Sequence, residues 1–246
     1  MTHAAAAVRP WYRRPWAVAP LMLLALAFIS YSLPPYLTLD PSRSRVAPPA
    51  GVPGYYPVLV AHVVFGSIAM ITACLQIWPW LRRDHPAVHR RLGLLYILGG
   101  VLPAGVMGLT IGAVSPFGPV IGASNVVLAI VWLTVTITGY RAGRRHSWIE
   151  HRRWMTRSVV LTFSVITNRV WTVIWVIVFI PQLDTTFGGN ERLMIQTIAG
   201  LSGWLGWVIP LVVTEWRLER GALKALARDA NPDRAALAGR LPISST

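Results

Sequence analysis

Residues 57–80 read PVLVAHVVFGSIAMITACLQIWPW, and they contain no Asp, Glu, Lys or Arg. As a helix, a run of this length is longer than the ~30 Å of hydrocarbon in a bilayer. It therefore reads as a membrane span. Working outward, five more apolar stretches qualify, at 17–33, 92–114, 119–140, 154–180 and 193–216. The predicted fold is all-α: a polytopic membrane bundle of six transmembrane helices. The first stretch is short and ends at Pro34 and Pro35, which cannot continue a helix. It follows Arg9, Arg13 and Arg14 without a small-x-small cleavage pattern, so it reads as a retained anchor.

Composition agrees. Apolar residues make up 54% of the chain and charged residues 13%, about half the charge of a soluble domain. The net charge of +14 is carried by arginines in short segments between spans, and Lys224 is the only lysine. That is the pattern of a membrane orientation signal, so no nucleic-acid partner is expected. Cys74 is the only cysteine, which excludes an intramolecular disulfide and a CxxC site.

The basic segments alternate. Residues 1–16, 81–91, 141–153 and 217–246 are rich in arginine, whereas 34–56, 115–118 and 181–192 are near neutral. With six spans all the basic segments fall on one side, predicting both termini in the cytoplasm of a multi-pass plasma-membrane protein. The domain reading is a basic arm (1–16), a first helix (17–33), a proline-rich outer loop (34–56), a five-helix core (57–216) and a cytoplasmic tail (217–246). The tail opens as an interfacial amphipathic helix and ends in polar residues.

Two basic segments are near-copies. The pattern RRxxxxxHRR begins at Arg82 and again at Arg144, ending in HRRLG at His89 and HRRWM at His151. Spans two and three, and spans four and five, thus read as two similar hairpins flanked by spans one and six, related by an axis along the membrane normal. Two loops obeying one charge rule would give the same pattern, and outside the cassettes the match is poor: His62 falls opposite Ser124, and Arg169 opposite Met107.

Candidate site residues fall into two groups. Arg169 lies midway along the fifth span, where a cation costs about 2.5–3.5 kcal/mol on insertion scales. It is expected to face the bundle interior or a wet cavity, or else to be satisfied by carbonyls or by Asn125, Asn168 or Gln196. His62, near the outer end of span two, could share an outward pocket with Arg169, Asn168 and Gln196. The second group is an inner polar cluster of His89, Arg90, His151, Arg152 and Glu215, with Glu215 pairing to Arg90, Arg152 or a histidine. Its plain reading is structural, with arginines on lipid phosphates.

No cofactor is predicted outright. One b-type haem between His89 and His151 is geometrically conceivable, although both stand at helix ends. A second bis-histidine haem is not, because His62 has no partner on its side. There is no GxSxG, Walker, HExxH or Asp-rich prenyl-diphosphate motif.

With these residues set out, the chain resembles the bacterial membrane-protein family designated domain of unknown function 2306. The likeness covers residues 55–216. It is carried by His62, Gly66 and Gln76, by His89, Arg90 and Gly93, by His151, Arg152, Trp154, Met155 and Arg157, and by Thr167, Arg169, Glu215 and Trp216. Asn168 stands where the family would have an apolar residue. The resemblance implies a compact helical bundle and supplies no reaction, substrate or cofactor. The preferred functional expectation is binding or movement of a small anionic or amphiphilic molecule at His62 and Arg169, with no enzymatic role. The alternatives are a membrane redox protein with one haem and a lipid-modifying enzyme using His62 or Glu215 as acid or base.

Overall fold

The computed structural model describes residues 18–229, with side chains as far as 223. Six helices carry the architecture: α1 Ala19–Ser32, α2 Tyr55–Ile77, α3 Pro86–Ala113, α4 Pro119–Arg144, α5 Trp148–Phe179 and α6 Glu191–Asp229. Helices α2 to α6 are long and apolar enough to cross a membrane. The expected first span is shorter than the rest. Its 14 helical residues extend only about 21 Å, less than the hydrocarbon thickness.

The helix ends differ from the expected span ends for local reasons. Residues 81–91 and 141–153 are not loops. Pro79–Asp84 forms a short helix, Pro86 opens α3, and only residues 145–147 separate α4 from α5. Both basic cassettes thus enter the first turns of helices. At the far end of the chain α6 continues past Trp216 to Asp229; the expected arm at 1–16 and the last part of the expected tail lie outside the described residues. The proline-rich segment carries one helical turn, Pro34–Leu37, and a 3-10 turn, Pro41–Arg43. Arg45 ties it to α1 by a hydrogen bond to the Tyr31 carbonyl, 3.0 Å, and by stacking on the Tyr31 ring.

Helices α2 and α3 form one antiparallel hairpin, α4 and α5 the next. Contacts run α2–α3, α3–α4, α4–α5 and back from α5 to α2, closing a four-helix ring. Helix α6 packs along α4 and α5, and α1 lies against α2. The polarity is inverted relative to a soluble bundle: Leu98, Val106, Val120, Ile130, Val173, Ile177 and Val212 are exposed, whereas Ser124, Thr136, Ser158, Thr162 and Ser202 are buried. Hydrocarbon covers such an exterior, and hydroxyl-bearing and small residues let helices approach inside it. Two crossings are close enough to require glycine. A Cβ on Gly100 would stand 2.9 Å from the Ala69 Cα, and one on Gly206 would stand 2.8 Å from the Asn168 Cα. Gly100 also lies in a single π turn, Ile97–Val101, that interrupts α3. Pro103 follows it and offers no N–H to the carbonyl one turn back.

Candidate functional site

The centre of the ring is a hydrogen-bonded knot with no charge in it. The Tyr96 hydroxyl on α3 is fully buried, 2.6 Å from Ser158 Oγ and 2.8 Å from Thr162 Oγ1 on α5. From α4, the Trp132 indole N–H donates to Thr162 Oγ1 and to the Ser158 carbonyl, and Thr136 Oγ1 lies 2.6 Å from Ser158 Oγ. Five side chains on three helices thus satisfy one another where no water is at hand. Sequence reasoning passed over them. The signal was there as hydroxyls four residues apart within an apolar run, Ser158 and Thr162.

At the arginine-rich end, Glu215 does not pair with Arg90, Arg152 or a histidine as expected. Arg157 takes it in a bidentate bond, Nε to Oε1 at 2.5 Å and Nη2 to Oε2 at 2.7 Å. One turn away Arg153 pairs with Glu219. Both pairs join α5 to α6 alone, because those helices run side by side here, while Arg90 and Arg152 are exposed. The Arg157 guanidinium also stacks on Trp154. His151 Nδ1 lies 2.8 Å from the Gly139 carbonyl of α4, and Gln76 of α2 donates to the His89 carbonyl. His89 Nδ1 is buried and has no hydrogen-bond partner among the described residues. His89 lies within electrostatic reach of Arg82 and of His151. Arg82 is held below the ordinary arginine pKa, first by partial desolvation and then by the guanidinia of Arg152 and Arg83.

The other expected group is spread over the opposite half. His62 Nδ1 lies 2.8 Å from the Ala104 carbonyl of α3, and Gly108 leaves room for the ring: a Cβ there would stand 3.3 Å from His62 Cε1. Arg169 is exposed, and no hydrogen bond or ion pair reaches it among the described residues. Asn168 lies in the α5–α6 seam against Gly206. Gln196 packs against Gly118 at the helix-end rim. It is ten residues, about 15 Å of helix rise, from the Gly206 level, so it does not join Arg169. Two shallow apolar grooves, of about 540 and 600 Å³, are lined by α2 residues such as Val60 and Val64 and by residues around Gly118 and Gly122; neither is lined by His62 or Arg169.

Helical spacing relates His62 and Arg169 more closely than their contacts do. Seven residues return a helix to within about 20° of the same face. His62 is seven residues from Ala69, and Arg169 seven from Thr162. Ala69 and Thr162 both face the central core. Both candidates thus prolong core-facing stripes into the half away from the arginines. In that half the α5 stripe opens, leaving Arg169 and Val173 exposed, whereas nearer the arginines Phe163 and Ile166 still pack with Met70 and Cys74.

An apolar exterior, a hydroxyl-bonded interior and five membrane-length helices define a polytopic helical membrane protein. The chain belongs to the DUF2306 family of predicted membrane proteins, whose model matches residues 59–217. The match takes in nearly all of α2, all of α3, α4 and α5, and most of α6. No curated protein and no solved structure matches the chain.

Proposed function

We propose that this protein binds, and by exchange between membrane surfaces moves, a small anionic or amphiphilic molecule in the half of the bundle away from its arginines. Arg169 serves as the counter-ion, with His62 of α2 in the same half of the bundle. The arginine distribution supports a cytoplasmic basic end, an orientation that sets Arg169 toward the outer leaflet. One observation carries the reading: a guanidinium at membrane depth is exposed and lacks a partner among the described residues. Such a charge demands an anion, and a carboxylate or phosphate on an apolar tail would reach it from the lipid side. A lipid-modifying acid–base role for Glu215 is less well supported, since Arg157 occupies both of its oxygens.

The test is electron spin resonance on protein in phosphatidylcholine vesicles, with spin-labelled stearate against spin-labelled phosphatidylcholine. The wild type and Arg169→Lys should hold stearate in excess of the neutral lipid. Arg169→Leu should bring the two to parity, and equal association of stearate with all three proteins would refute the assignment.

A further inference from the structure

Of the glycines in α2 to α5, and of those in α6 as far as Trp216, only Gly66 would meet nothing within 4 Å on gaining a Cβ, among the described residues. The others meet a neighbour: Gly100 the backbone of Ala69, Gly206 that of Asn168, Gly108 the ring of His62. A glycine inside a helix weakens it, and at Gly66 no close contact offsets that. The space beside it has a definite place in the bundle. Met70 and Cys74 of α2 pack in one cluster with Phe163, Val165 and Ile166 of α5 and with Ala25 of α1. One turn further from the arginines on each helix stand Gly66, four residues before Met70, and Arg169, four residues after Val165. Residues four apart share a helix face. The seam between α2 and α5, filled by side chains around Met70, therefore continues as an empty position and a guanidinium.

This stretch of the seam is closed above and below. Toward the arginines the cluster around Met70 and Ala25 seals it. Toward the other end Leu59, two turns beyond Gly66, is buried with Tyr36 of the proline-rich segment, and Val63 packs in the same cluster. Leu59 and Met70 are eleven residues apart, about 16 Å of helix. On the α5 side of that interval Arg169 and Val173 are exposed, so the free side is lateral, toward the lipid. Stretches 55–83, 86–149, 151–183 and 192–214 contain no Asp or Glu. A second copy of the chain thus brings no carboxylate to the depth of Arg169, whereas an anionic amphiphile does.

We propose that the seam at Gly66 is a lateral window through which a single-chain anionic amphiphile brings its head group from the lipid to Arg169. The side chain missing at Gly66 leaves the space that the head group takes, and the size of the residue at that position selects what enters. The tail of the ligand stays outside, along Val173 and Ile177, four and eight residues beyond Arg169 and both exposed. This rests on the reading of Arg169 as counter-ion, and it adds the entrance and the residue that gates it by size.

The experiment has two arms, both on the full chain in phosphatidylcholine vesicles. In the first, a nitroxide on Gly66→Cys, with Cys74 replaced by Ala, is relaxed by oxygen. Its accessibility should equal that of the same label on Ile177→Cys, an exposed position of α5. A label at position 66 shielded from oxygen, or broadened by the label of a second copy, overturns the window whatever Arg169 does. The second arm compares spin-labelled stearate with spin-labelled phosphatidylcholine. Gly66→Trp should bring stearate to parity with the neutral lipid while eluting as folded protein, and Gly66→Leu takes its place should the tryptophan variant fail to fold. Ile130→Trp, at an exposed position of α4, should keep the wild-type excess of stearate. If Arg169→Leu loses that excess and the folded Gly66 variant keeps it, the window falls and the counter-ion stands. If Arg169→Leu keeps it, the counter-ion reading falls and takes the head-group seat with it, even where the oxygen measurement finds the seam open.

Discussion

Removing one oxygen from the central knot, Tyr96→Phe, tests whether the interior is held by shared hydroxyls. The substitution deletes two hydrogen bonds, to Ser158 Oγ and Thr162 Oγ1. Neither partner is left alone. Ser158 Oγ keeps Thr136, and Thr162 Oγ1 keeps its bond to the Ser158 carbonyl and the indole N–H of Trp132. Side-chain hydrogen bonds between membrane helices average about 0.6 kcal/mol each, so the pair contributes about 1 kcal/mol. An orphaned buried hydroxyl would add a further ~1–3 kcal/mol. The expected loss is therefore about 1 kcal/mol, read from SDS-induced unfolding in mixed micelles followed by tryptophan fluorescence. Thr162→Val should cost at least as much, because it takes away an acceptor of Trp132 as well as the Tyr96 bond. A loss above about 3 kcal/mol for Tyr96→Phe would mean that the partners are not mutually satisfied, and the shared-network reading would fall.

Three other outcomes follow from the packing. Gly206→Ala should destabilise by about 1–3 kcal/mol through the close approach to Asn168, whereas Gly66→Ala, which meets nothing within 4 Å, should be neutral or slightly stabilising; thermal unfolding of both settles it. A double-mutant cycle on Arg157→Leu and Glu215→Gln should return a coupling of about 1 kcal/mol. Arg157 is 12% exposed but Glu215 is 41% exposed, and solvent screening on the glutamate side keeps the value low. In whole cells, with Cys74 replaced by Ala, Ser42→Cys should react with a membrane-impermeant maleimide and Ser147→Cys should not; the reverse pattern would invert the proposed orientation.

The spans were legible because the length of an apolar run is written directly in the residues, as in 57–80. The shortness of α1 was half legible, since Pro34 and Pro35 bound it on one side. Partner choice at the arginine-rich end was harder. Arg153 and Arg157 stand four residues apart, as do Glu215 and Glu219, and antiparallel helices pair them in reverse order. That ladder is visible only once α5 and α6 are known to be neighbours, a fact of packing that no local pattern carries. The same limit hid Gln196's distance from Arg169. Membership of one half of the bundle does not place two side chains at one depth.

The π turn at Ile97–Val101 has a consequence for kinship between the hairpins. A π turn holds one residue more than the α turn it replaces, while α5 runs on as uninterrupted α-helix. Beyond the turn, the residue of α3 that corresponds to Arg169 is therefore Gly108 and not Met107. Gly108 is the glycine that admits the His62 ring, and the counterpart of His62 is Ser124. One hairpin sets a bulky imidazole against a bare glycine; at the matching positions the other carries a small hydroxyl, bonded to Trp207 of α6, and an exposed guanidinium. The halves have exchanged bulk for space in opposite directions. A chimera carrying two copies of the first hairpin would hold no membrane-depth cation, and one carrying two copies of the second would hold a pair of them.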